Sequence, residues 1–309
     1  MNACVLLGPQ RRRPTVARAL DRLGLDGEVL LISAGWQERE GERAELEAHV
    51  GRRVQDLMLH DRAERVRAED PELAQALRDR QTALRELQAI HRIRLRHALL
   101  AHEEIRRSRA GGQIRTAGSR SALRAVRALD REHLRATRRL GERVETQLGA
   151  ARRPALRRHL DEIRALVEGS AAILIAGGHV AVLLGRLRLF GAGDWLGLRP
   201  VVAWSAGAMA LTDRVVLFHD HPPQGPGEPE ILGPGLGLVP GVIALPDARH
   251  RLRLGDEARV GLLATRFAPA RPLTLDDGAL LIRRPGEALR GEDVLELDRR
   301  GRMRPLAAA

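Results

Sequence analysis

The sequence predicts an α/β fold, a mainly parallel sheet flanked by helices, with an inserted α-helical hairpin or bundle. Three observations carry this expectation. Short apolar runs of strand length alternate with helical segments near both ends of the chain. Glycine-containing turns separate them. Between them, over residues 50–149, the composition shifts to long Arg/Glu/Ala/Leu-rich helical sequence. Residues 1–49 and 150–309 then form one α/β domain, and 50–149 is the insertion.

The first strand is expected over residues 3–7 and ends at Gly8-Pro9. A helix fits 14–23, with Gly24 and Gly27 marking its end, and a buried strand over 28–33 runs into Ala34-Gly35-Trp36. Ligands in such sheets bind beyond the carboxyl ends of the strands, so both post-strand loops are candidate site walls. In the insertion, Asp70 is a natural N-cap with Pro71 in the first helical turn. Leu73, Leu77, Leu84, Leu87, Leu95 and Leu99 recur along one face. Gly111-Gly112 breaks the pattern, and a second helix carries Leu123, Val126, Leu140, Val144 and Leu148. The many arginines here read as a solvated face with i,i+4 partners to glutamate. After Pro154 come a helix over 155–168, a strand over 171–176, the turn Gly177-Gly178-His179 and a helix over 180–189. A strand over 201–204 ends in Ser205, and a Pro/Gly-rich loop occupies 222–240. Late strands are expected over 273–275, 279–282 and 293–297.

Composition narrows the partners. The 309 residues include one cysteine, Cys4, so no intramolecular disulfide forms, and its apolar setting makes it a core residue. No apolar stretch reaches membrane-spanning length and no signal-peptide pattern opens the chain, which predicts a cytoplasmic protein without a membrane partner. The net charge of +12 attracts polyanions, yet it is carried by arginine alone, with no lysine and no tyrosine. Aromatic residues make up 2% of the chain, too few rings for base stacking, so no specific nucleic-acid partner is expected.

Chemistry concentrates at RPVVAWSAGAMAL. A buried strand delivering Ser205 into Ala206-Gly207-Ala208 can hold the hydroxyl in a tight strand-to-helix turn. Ala203 and Gly207 stand where a G-x-S-x-G turn has its glycines. An ordinary turn with an incidental serine fits the same residues. A nucleophilic serine also needs a base, a group to orient that base, and oxyanion donors. The backbone N–H of Ala206 and amides of the Gly177-Gly178 turn are the candidate donors. There are 11 histidines. His91, His97, His102 and His133 read as surface or interhelix residues of the insertion, whereas His219, His221 and His250 lie in the half that contains Ser205. His219-Asp220-His221 has the spacing of a metal-binding pair, but no further ligands are evident, and neither metal nor cofactor is expected.

The ordered set LIAGGH, AWSAGAM, the HDH segment, GLGLVPG, PDARHRLRLGDEARVGLL and LTLDDGALLI resembles the peptidase S51 family, which includes cyanophycinases and aspartyl dipeptidases. The match covers about residues 155–282 and, more loosely, 5–36. It implies a class I glutamine amidotransferase-like fold and hydrolysis of a small peptide or isopeptide substrate through an acyl-enzyme. By position, Ser205 matches the family nucleophile and His250 its base, and Asp220 falls about where the acidic third member lies. Asp247, Asp276 and Asp277 compete for the role of orienting His250. Arg249 and Arg251 are candidates to bind a substrate carboxylate. The chain departs from the pattern in three ways: two residues separate Asp247 from His250, Arg249 replaces an amide residue, and the helical insertion has no counterpart in compact members. The insertion then serves as a lid or as a dimerisation arm of a homo-oligomer. A glutaminase would need cysteine at 205, where serine stands, and Cys4 is far away in sequence, which argues against that chemistry. An esterase or acyl-transferase uses the same serine machinery. The non-enzymatic alternative is a degenerate module whose partner surface is the arginine-rich helices.

Overall fold

The computed structural model describes residues 2–149, 152–220 and 227–306. In chain order the elements are β1 (Cys4–Leu7), α1 (Val16–Arg22), β2 (Val29–Ile32), α2 (Ala44–Val50), β3 (Val54–Asp56) and α3 (Leu59–Glu69). The insertion contributes α4 (Pro71–Arg107) and α5 (Gly112–Leu148). There follow α6 (Pro154–Gly169), β4 (Ala172–Ile175), α7 (Val180–Leu189), α8 (Ala192–Trp195), β5 (Val201–Trp204), α9 (Ala206–Ala210), β6 (Arg214–Leu217) and β7 (Glu230–Pro234). The chain closes with β8 (Val242–Pro246), α10 (Ala248–Arg251), α11 (Glu257–Phe267), β9 (Arg271–Leu275), β10 (Leu280–Arg283), β11 (Arg290–Glu292), β12 (Leu295–Leu297) and β13 (Met303–Pro305). No helix among the described residues is long and apolar enough to cross a membrane.

The fold is the expected one: α/β, with a mainly parallel sheet. Its seven strands run in the order β11-β10-β1-β5-β4-β2-β3, with the five from β1 to β3 parallel, β10 antiparallel to β1, and β11 antiparallel to β10. The central strands are apolar at every position because both faces are covered. Leu6, Leu30, Ile32, Ile173, Ile175 and Ala203 pack with α3, α6 and α7, while Val5, Leu7, Val29, Leu31, Leu174 and Val202 pack with α1 and α2. Burial of each large aliphatic side chain is worth about 1.5–3 kcal/mol. A one-residue slip would exchange the two faces, so the register is firmly fixed. Cys4 lies in this core as expected, and burial pushes its thiol up to about 11.

The boundary of the insertion moves. Residues expected to open it near 50 instead form the sheet's edge: β3 pairs in parallel with β2 (Val29↔Val54), burying Val54 and Asp56. The helical hairpin begins at Pro71. Asp70 accepts the Leu73 N–H at 2.9 Å as its N-cap, and both hairpin helices have 37 residues, about 55 Å of helix each. Leu73, Leu77, Leu95 and Leu99 are buried, whereas Leu84 and Leu87 are half-buried. The side chains of Val144 and Leu148, named above on the apolar face of the second helix, lie outside the described ones. Of the insertion's histidines, only His97 is exposed; His91, His102 and His133 are buried between elements.

A second sheet, ordered β13-β12-β9-β8, and the pair β6-β7 complete the structure. The strand expected over 293–297 forms only over Leu295–Leu297, as β12, and a further short strand, β11, precedes it. Asp293 adopts φ 55°, a left-handed turn that ends β11 in the main sheet and starts β12 in the second.

Candidate active site at the serine turn

Ser205 leaves β5 with φ 52° and ψ −118°, a conformation that a residue with a side chain adopts only at a cost of about 1–3 kcal/mol. Its N–H donates to the Leu7 carbonyl at 3.2 Å, and its own carbonyl accepts the Met209 N–H at 3.1 Å, starting α9. The side chain is thereby lifted off the carboxyl end of the sheet. Small neighbours make this possible. A Cβ on Gly207 would lie 2.4 Å from the Ile175 carbonyl oxygen, and one on Gly177 would lie 2.9 Å from Ser205 Cβ. Glycine at 177 and 207 is therefore a condition of the turn. The Gly177-Gly178 segment is held from the far side by Gly35, whose carbonyl accepts the His179 N–H at 2.8 Å. Among the described residues, the N–H groups of Gly178 and Ala206 have no backbone acceptor.

The serine opens into a cleft of about 560 Å³ whose walls include Pro9, Gln10, Trp36, Arg39, Glu42, His49, Gly177 and Gly178. Both post-strand loops named from the sequence line it. His49 and Glu45 of α2, which also line the cleft, were not legible as site residues, because they belong to a short helix with no chemical pattern of its own.

His250 sits on α10, more than half exposed, and its Nδ1 lies 2.6 Å from Asp247 Oδ1. An ionised carboxylate can only accept, so Nδ1 carries the proton and Nε2 presents a lone pair. Asp247 reaches the ring from a left-handed turn at φ 59°. Asp276 Oδ1 accepts the Arg249 N–H at 2.9 Å, and burial raises the Asp276 carboxyl above its ordinary range. Asp277 is half-buried beside it. Two contacts bring this segment to the serine's end of the sheet: Leu7 pairs with Trp204, and Gly8 packs against the Asp276 carbonyl. His250 nevertheless does not line the serine cleft, and among the described residues no hydrogen bond joins it to Ser205.

Asp220 is placed differently from the expectation. It is buried, accepts the Arg253 N–H at 2.7 Å, and is gripped by Arg259 through Nε at 2.9 Å and Nη2 at 2.6 Å. Those guanidinium bonds occupy the carboxylate, so the acid bonded to His250 is Asp247 rather than Asp220. Arg249 and Arg251 flank the histidine, with Nε atoms 3.5 Å from Asp276 and 3.6 Å from Asp247. His221 lies outside the described residues, and no group of three or more metal-ligating side chains occurs among the described ones.

No family model and no curated protein matches the chain. Among solved structures the chain is similar to a peptidase from an acI-B1 Actinobacterium, at 14% identity over 100% of this chain and 95% of that one, with a TM-score of 0.49. It is also similar to a protein of Listeria monocytogenes EGD-e with the provisional name peptidase E, at 12% identity over 94% of this chain and 98% of that one, with a TM-score of 0.46. These are likenesses of chain path, at identities that leave function to the chemistry of the site itself.

Proposed function

We propose that the chain is a serine hydrolase that cleaves a peptide or isopeptide bond through an acyl-enzyme on Ser205. The observation that carries this reading is the strained backbone of Ser205, which presents the hydroxyl to a cleft between two glycine-lined turns. Strain of this kind persists only where the surroundings enforce it, and it gathers at reactive positions. In the reaction, Ser205 Oγ attacks the substrate carbonyl and its proton passes to His250 Nε2. The Ala206 and Gly178 amides receive the oxyanion. The C–N bond breaks as His250 returns the proton to the leaving amine, and water then repeats the sequence to free the acid. Asp247 holds the imidazole tautomer. Docking of substrate draws His250 to the serine, since catalytic hydrogen bonds commonly tighten only in the complex. The chemistry calls for neither metal nor organic cofactor.

The absence of His250 from the lining of the serine cleft also favours a second reading, a module that binds through the same cleft without turnover. A fluorophosphonate probe and a small aryl ester distinguish the two. Hydrolysis predicts labelling and ester turnover that vanish in Ser205→Ala and fall about a hundredfold or more in His250→Ala. His49→Ala serves as a control, because His49 is the histidine that lines the cleft. Wild-type protein inert to both reagents would establish the binding module, and a loss confined to His49→Ala would reassign the base.

A further inference from the structure

A second cavity, of about 450 Å³, lies where the hairpin meets the α/β body, between α4 and α5 on one side and α7 and β7 on the other. Four arginines line it: Arg80 and Arg85 from α4, Arg138 from α5 and Arg188 from α7. Glu142 is the only acidic residue in that lining. Arg188 donates to the Pro234 carbonyl, which fixes it against β7. Arg85 and Arg138 at the rim form no ion pair among the described residues, in a protein where many arginines do.

Two independent observations indicate that this space is kept for a ligand. Gly141 and Gly185 are both helical and both line the cavity, and a Cβ on either would meet nothing within 4 Å. Glycine inside a helix costs about 0.5–1 kcal/mol relative to alanine. No packing contact explains that cost here, and a side chain would fill the void. In addition, Gln88 faces His133 through Oε1 at 3.0 Å, which leaves its buried Nε2 without a hydrogen-bond partner among the described residues. An unused buried donor beside the guanidiniums of Arg85 and Arg138, which form no ion pair among the described residues, is the complement of an oxyanion.

We propose that this crevice binds a small polyanion of metabolite size, held by the planar forks of its arginines through phosphate or carboxylate oxygens. The site is separate from Ser205 and does not depend on the hydrolase reading. It gives the insertion a role, since without α4 and α5 the crevice has no second wall. It also touches α7, the helix that begins directly after the Gly177-Gly178 turn.

Calorimetric titration at about 0.1 M salt, where screening suppresses diffuse attraction, tests the assignment with inorganic pyrophosphate and with citrate in separate arms. Saturable one-to-one binding and a raised Tm are expected in at least one arm, and that arm distinguishes phosphate from carboxylate recognition. Arg85→Gln with Arg138→Gln should weaken it about tenfold or more. Gly141→Leu should abolish it by filling the void while leaving the fold intact. Arg157→Gln with Arg164→Gln removes the same charge from the exposed face of α6 and should leave binding unchanged, as should Ser205→Ala. Equal weakening by both arginine pairs, full affinity in Gly141→Leu, or no saturable binding in either arm would overturn the proposal.

Discussion

At Ser205 the backbone fixes where the hydroxyl stands before any partner arrives. The strained φ and ψ place Oγ above the sheet, and the neighbours accept this only because they lack side chains. Gly177→Ala would bring a Cβ within 2.9 Å of Ser205 Cβ, so probe labelling should fall sharply while the fold survives. Gly207→Ala presses on backbone at 2.4 Å and should destabilise the protein by about 1–3 kcal/mol in urea unfolding. Asp247→Asn keeps the shape but frees the imidazole to take the other tautomer. It should slow ester turnover about a hundredfold or more, whereas Asp220→Asn should act mainly on stability, through Arg259. The serine and the glycine turn were legible in the sequence because small residues around a hydroxyl have few other uses. The orienting acid was not. Asp220 and Asp247 both precede His250, and only the folded chain separates them: Asp247 bonds the imidazole, whereas Arg259 holds Asp220.

Among the elements, the hairpin is held to the body by polar as well as apolar contacts. Arg266 on α11 reaches Asp130 on α5 through two bonds of 2.7 Å, with both side chains at most 6% exposed, and also donates to the Pro229 carbonyl at 2.6 Å. Removing one partner of such a pair costs about 3–5 kcal/mol, so Asp130→Ala should lower the urea midpoint strongly. Beside the pair, His91 stacks on His133 at 4.2 Å. Burial, then the neighbouring His133, holds the His91 imidazolium down to about 4. As pH falls from the ordinary histidine value of 6.5 toward 4, the unfolded chain takes this proton before the folded one, so stability is lost across that window. Asp130 and Glu230 oppose the shift and Arg266 adds to it. Glu40, raised to about 7 by burial, has the opposite slope. The comparison that isolates His91 is therefore wild type against His91→Gln, with the variant losing less stability between pH 6.5 and 4. The helices themselves were legible from leucine spacing and the Asp70-Pro71 cap. The polar seam was not, because in an arginine-rich sequence Arg266 looks like every other surface arginine.

The whole molecule carries +12 of net charge, all from arginine. At low ionic strength it should adsorb to polyanion resins and release as salt rises toward about 0.3 M, where the screening length shortens to roughly 6 Å. That diffuse attraction differs from the crevice, whose binding should survive such salt in part. The parallel sheet was readable from the alternation of elements, yet the second sheet was not, since its strands are short and divided by turns such as Asp293. The clasp at the hairpin's base has a further consequence. Arg153 bonds Asp70 at 2.8 Å, although the two residues lie 83 apart in sequence. Zipping α4 against α5 needs only contacts nested about the turn near Gly111, and local contacts form fast. Once it zips, β4 is delivered beside β2 without the loop-closure entropy of a long flexible connection. The insertion thus acts as a kinetic shortcut for the sheet. Loosening its base by Arg153→Ala should slow refolding measured by stopped-flow fluorescence more than it hastens unfolding.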